Sequence, residues 1–191
     1  MNSQTVQSII YYGNNVDKLG RIVKGTLKMK RKGQIQTIDN ADLVLAPTLV
    51  GGNHWVCFVI NRNHWEISLI NSLPEESAPD SEGVAKALAN FMSALEIEID
   101  NRKHGLEDEL NKKELDMRDP YEREYIYRNQ LQNFPMQNNW SDCGIFTFLA
   151  VYSIATDKKP AVDQTSIVKW RSYLTMLLLS NAEWGDELIL K

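Results

Sequence analysis

The run Gly144–Ala155 (GIFTFLAVYSIA) is apolar almost all the way round a helix, and it constrains the chain more than any other segment. A helix without a polar face belongs in the middle of a domain, with packed layers around it. It falls well short of the ~20 apolar residues that a membrane span needs. The 191 residues are enough for one ordinary domain to cover such a helix, and the apolar (43 %) and charged (24 %) contents are those of a globular chain.

The covering elements can be read in part. Residues 43–50 (LVLAPTLV) and 55–60 (WVCFVI) are short, apolar and rich in β-branched and aromatic types, so they read as buried strands. Asn61-Arg62-Asn63 reads as a turn and 64–70 (HWEISLI) as the returning strand. Residues 82–95 carry helical spacing, a short strand is expected around 130–134, and a last amphipathic helix over about 163–181. A short helix is expected around Val6–Tyr12, followed by a basic stretch with glycines at 13, 20, 25 and 33. Residues 101–128 mix both charges densely and read as a solvated helix interrupted near Pro120. No repeat or linker divides the chain. The expectation is a single α+β layered domain over 1–191.

Composition narrows the chemistry. A net charge of −4 argues against nucleic acid as a partner. Cys57, Cys143 and the three histidines show no metal-ligand spacing. A domain of this size does not need a disulfide between its two cysteines. The first residues lack a basic segment followed by a long apolar run, so no secretory signal is read. These features suggest a reducing compartment, cytoplasmic or nuclear, and suit equally a bacterial effector delivered into host cytosol.

Cys143 stands directly before the buried helix. There the positive end of the helix dipole favours thiolate, and Gly144 leaves room beside the sulfur for a substrate backbone. A cysteine in such a place is more often a small core residue, and a base is needed to change that. His54, which opens the first strand of the hairpin after Gly51-Gly52-Asn53, is the candidate. With residues 61–63 as the loop, residue 54 faces 70, and Asn71 lies one residue out of register. A bulge or frayed strand end would then let Asn71 orient the imidazole. Gln137, six residues before Cys143, is placed to donate its amide to an oxyanion beside the Cys143 backbone N–H.

The order His54-Trp55, then Asn71-Ser72-Leu73, then Gln137-Asn138-Asn139-Trp140-Ser141-Asp142-Cys143-Gly144 resembles the Ulp/SENP family of ubiquitin-like-protein-specific cysteine proteases and its relatives among bacterial deubiquitinases. The likeness runs over roughly residues 42–181. It implies a papain-like, Ulp-type domain in which the central helix carries the nucleophile and packs on a small mixed sheet. It also implies that Cys143 is nucleophile, His54 general base, Asn71 third triad member and Gln137 oxyanion donor. Trp55 would lid a narrow channel for a Gly-Gly tail, with Trp140 and Gly144 beside it, and no cofactor or metal is called for. The implied partner is ubiquitin or a ubiquitin-like protein (SUMO, NEDD8) with its conjugates, and the charged 101–128 insertion with Asn71 leans the reading toward ubiquitin. Three features depart from the family pattern. Asn71 stands where Asp is usual, Trp140 where Gly is usual, and residues 1–40 form a divergent N-terminal part.

Neighbouring residues have plainer readings. His64 reads as a turn residue, Glu66 as solvent-facing, Asp142 as an N-cap acceptor that steadies the loop, and Cys57 as core. Two other functions stay open. One is a non-catalytic pseudoprotease that binds a ubiquitin-like protein, supported by Asn71 alone. The other is an acetyltransferase-type effector on the same scaffold.

Overall fold

The computed structural model describes residues 3–12, 16–28, 38–73, 80–103, 125–128, 134–157 and 164–180. Four strands, β1 (Leu43–Val50), β2 (His54–Asn61), β3 (Glu66–Ile70) and β4 (Ile126–Arg128), form one sheet in the order 1-2-3-4. The first three are antiparallel, and β4 joins β3 in parallel. On one face Val44, Ala46, Val56, Phe58, Ile60, Ile67 and Leu69 pack against three helices, α1 (Ser3–Tyr12), α2 (Val16–Lys28) and α3 (Ser81–Lys103). On the other, Cys57, Val59 and Ile70 pack against Ala150 of α4 (Cys143–Thr156). Phe146 and Leu149 of α4 meet Ile167 of α5 (Ile167–Ser180). The helix with no polar face is therefore sandwiched between the sheet and α5. Because helices cover both sheet faces, β2 reads as a continuous apolar run and not as an alternation.

The helix α2 lies in the basic, glycine-bearing stretch that is only weakly patterned in the sequence. Leu19, Val23 and Leu27 are buried and Ile22 is half-buried, one apolar stripe at helical spacing. Gly20 and Gly25 interrupt that stripe in composition without breaking it in space. A Cβ at either position would meet no atom within 4 Å. Gly20→Ala and Gly25→Ala are therefore each expected to raise stability by ~0.5–1 kcal/mol, read as a higher urea midpoint. A lower midpoint for both would contradict a helix here.

Two features set the hairpin that carries His54. At its near end, Gly51 (φ 57°) and Gly52 (φ 79°) both take left-handed backbone, which glycine adopts without strain, and the tight reversal starts β2 at His54. At its far end the β2–β3 loop spans Arg62–Trp65, not residues 61–63, so Asn61 pairs with Glu66 and Cys57 with Ile70. Arg62 explains the longer loop. Its guanidinium forks onto Glu96 of α3 at 2.6 and 2.9 Å and donates through Nη1 to the carbonyls of Ile38 and Ala41, both at 2.8 Å. A planar five-donor group satisfied this way binds the loop to α3 and to the 3-10 turn Ile38–Asn40.

Other expectations shift at their edges. The helix expected over 82–95 runs on to Lys103. A strand is found at Ile126–Arg128, inside the stretch read as a charged helix; most of that stretch, residues 104–124, and residues 129–133 of the strand expected around 130–134 lie outside the described residues. The last helix begins at Ile167 after a turn at residues 164–166. Among the described residues no helix is long and apolar enough to cross a membrane.

Candidate active site

His54 is buried, and its Nε2 lies 2.7 Å from Asn71 Oδ1. The expected bulge is not needed. The β2–β3 ladder ends at Cys57 with Ile70, and its register carried one residue further sets residue 71, just past the end of β3, opposite residue 56, on the same side as His54. The difference from the expected register is one of parity: the longer loop moves the pairing by three residues, and an odd shift returns Asn71 to the side of His54.

The protonation of the ring follows from a third residue. Leu73 donates its backbone N–H to the same Oδ1 at 3.0 Å. An amide NH2 could not accept that bond, so the oxygen must face Leu73 and His54 together. Toward an acceptor oxygen, Nε2 must carry the proton. Neutral His54 therefore presents an unprotonated Nδ1, the atom able to take a proton.

Gln137 is buried and equally well defined. Its backbone N–H donates to the Ser72 carbonyl at 2.8 Å, and its Oε1 accepts from Ser72 Oγ at 2.6 Å. Its Nε2 donates one hydrogen to the Asn139 carbonyl, which leaves the other available to a ligand. The triplet Asn71-Ser72-Leu73 thus orients both His54 and Gln137. Only the first of the three had been given a role from sequence.

Cys143 opens α4, 7 % exposed, and the Asp142 carbonyl accepts the first helical bonds from Ile145 (2.9 Å) and Phe146 (3.0 Å). Gly144 lies against Trp55, whose Cδ1 is 3.6 Å from where a glycine Cβ would stand. That is ordinary contact, so the fold itself does not demand glycine there, and the position is exposed. The contact brings the chain neighbours of both residues, Cys143 and His54, to one corner of the domain. Trp140, three residues before the thiol, is 81 % exposed. His64 sits in the exposed β2–β3 turn, at the opposite end of β2 from His54.

Asp142 does not cap α4 with its side chain. Its buried carboxylate instead accepts from Asn139 Nδ2 (2.6 Å), Gln164 Nε2 (2.6 Å) and Arg171 Nε (2.9 Å). Burial alone would push its pKa upward; the hydrogen bonds from Asn139, Arg171 and Gln164 outweigh it and hold the carboxyl below its ordinary 3.8. The stability this group lends is therefore complete above the unfolded value and is lost as pH falls through the lower folded one. The thermal midpoint is expected to carry an acid-side loss below about pH 4 that Asp142→Asn removes. An unchanged acid limb in that variant would refute the assignment.

The two thiols differ in setting. Cys57 is fully buried in the sheet, and burial pushes its thiol up to about 12. Cys143 has the helix terminus beside it. Iodoacetamide at pH 7.5 is expected to modify the folded chain once, at Cys143, as read by mass spectrometry. Modification at Cys57 would mean that the sheet opens under those conditions.

The Ulp1 protease family, C-terminal catalytic domain, is matched over residues 12–178, and the chain belongs to this family of cysteine-type peptidases. Solved structures share its fold. A SUMO protease Ulp1 with its catalytic cysteine oxidised to a sulfenic acid is 18 % identical with a TM-score of 0.59, over 95 % of this chain and 68 % of that one. The C-terminal Ulp1 protease domain in complex with Smt3, the yeast orthologue of SUMO, is 17 % identical with a TM-score of 0.53, over 95 % and 77 %. No curated protein matches the sequence.

Proposed function

We propose that this chain hydrolyses the peptide or isopeptide bond that follows the C-terminal Gly-Gly of a ubiquitin-like protein. The observation that carries the reading is the shared oxygen of Asn71, which accepts from both Leu73 N–H and His54 Nε2 and so leaves Nδ1 as a base. Nδ1 takes the Cys143 proton, and the thiolate attacks the glycine carbonyl carbon. The free hydrogen on Gln137 Nε2 and the Cys143 backbone N–H receive the oxyanion. The tetrahedral species collapses as His54 returns the proton to the leaving amine, giving a thioester. His54 then takes a proton from water, which attacks the thioester carbonyl and frees the modifier and the thiol. Trp55, packed against Gly144, narrows the approach so that only two glycines pass, and Trp140 offers an exposed apolar surface three residues before the thiol.

The modifier is read from the relatives. The two solved structures named above are SUMO proteases, one of them bound to Smt3, which makes SUMO the first candidate and ubiquitin and NEDD8 the alternatives. The pseudoprotease reading rests on Asn71 alone. Against it, the amide makes the bond to the ring that an orienting carboxylate would make.

Electrophile-tailed SUMO, ubiquitin and NEDD8, run beside Cys143→Ala, test the proposal. A covalent adduct with one of them that is absent in the variant is the expected result. Binding of a modifier without an adduct, by a folded chain, would overturn it in favour of the pseudoprotease.

A further inference from the structure

The segment 137–143 carries both the proposed oxyanion donor and the nucleophile, and its backbone up to Asp142 is irregular. Such a loop holds catalytic geometry only if something outside it does so. Asn139 works from within: its Oδ1 accepts from the backbone N–H of Ser141 (3.0 Å) and of Asp142 (3.1 Å), and its carbonyl receives Gln137 Nε2. The external holds come from the segment around α5. Gln164 accepts the Asn138 N–H at 2.9 Å while donating to Asp142. Arg171 donates Nε to Asp142 at 2.9 Å and Nη2 to both Asp142 and the Ser141 carbonyl, at 2.7 Å for the latter.

The consequence runs through one carboxylate. Asp142 Oδ1 is held by Arg171, and Asp142 Oδ2 receives Asn139, whose carbonyl aims the Gln137 amide. From the proposed function above, we infer that Arg171 is a positioning residue, which sets the oxyanion donor against the nucleophile by gripping Asp142 and Ser141 from α5. It touches neither substrate nor reacting atoms. Its side chain is about half exposed, whereas that of Asp142 is almost wholly buried, so it can be replaced without opening the core.

The size of the effect is bounded. Losing an oxyanion donor outright costs ~10²–10³ in rate, and a displacement of ~1 Å costs ~10². Arg171→Ala is expected to lower kcat by ~10–10² with KM changed less than about threefold, measured on aminomethylcoumarin conjugates of SUMO, ubiquitin and NEDD8. Arg171→Lys keeps one donor and the charge but not the fork, and should recover part of the loss. In a Gln137→Ala background Arg171→Ala should cost little more, because its path to the chemistry is then already cut. Hydrogen exchange supplies a readout independent of turnover. The amides of residues 138–146 should exchange faster in Arg171→Ala, with β1 and β2 unchanged.

Full additivity with Gln137→Ala, or a loss confined to KM, would overturn the inference. So would unchanged exchange in the loop. A wild-type chain that turns over none of the three conjugates fails the proposed function instead, and the grip of Arg171 is then judged by loop exchange alone. Faster exchange supports the grip and unchanged exchange overturns it.

Discussion

Cys143→Ala and His54→Ala are each expected to lower kcat/KM on a modifier conjugate by ~10⁴–10⁶, and the double variant to lose little more. The two side chains act as one unit. Without the base no group takes the thiol proton, and without the thiol the base has only water to activate. The residual rate would reflect binding and the oxyanion donors, which both variants retain. The folded state should survive either change. His54 lies at the start of a strand, and Cys143→Ala removes one sulfur from the end of a helix whose core contacts lie at Phe146, Leu149 and Ala150. Circular dichroism and the thermal midpoint check that, and the conjugate assay checks the rate. Additive losses in the double variant would show that the two residues do not share a step.

The second large effect is at Asn71. Asn71→Ala is expected to cost ~10²–10⁴, because the ring loses the acceptor that holds its tautomer and the Leu73 N–H loses a partner at the same time. Asn71→Asp should behave in the opposite way. A carboxylate accepts the same two bonds and adds a charge that stabilises the imidazolium formed when the thiol gives up its proton, so a gain of up to ~10-fold is expected. An amide in a triad can fail by presenting NH2 to the ring and forcing the wrong tautomer. Leu73 prevents that here by donating to Oδ1, which turns the oxygen toward the ring. Steady-state rates for the three chains decide it. Wild-type activity in Asn71→Ala would mean another group orients His54, and a loss in Asn71→Asp would mean the corner cannot take a second charge.

The candidate groups were more legible than the geometry that arranges them. Cys143 before an apolar helix, His54 at a strand start and Gln137 upstream could be picked out because side-chain type and local spacing carry the signal. The central helix was visible because apolar residues on all sides admit one location. The hairpin register was not, since it depends on Arg62 reaching Glu96, a residue 34 positions away. Helix α2 was hidden by Gly20 and Gly25, whose low propensity is overridden by the stripe Leu19, Val23 and Leu27 packed in the core. Ser72 and Leu73 stood in a recognised triplet, yet the Ser72 bond to Gln137 joins segments 65 residues apart, while the Leu73 bond back to Asn71 is a local turn whose value shows only once Asn71 meets His54. Arg171 gave no sign at all: nothing local marks an arginine that will hold a loop 29 residues earlier.

The parallel strand β4 has a consequence for how the chain reaches this state. Glu66 pairs with Ile126, sixty residues on, whereas β1, β2 and β3 are joined by short reversals. Local reversals close with little loss of entropy, and a distant pairing closes late. The meander carrying His54 should therefore form before β4 docks, leaving the outer edge of β3 bare in the interval. An uncovered edge recruits strands from other chains. Refolding yield should accordingly fall with protein concentration, while the finished enzyme, its edge capped by three residues, stays monodisperse.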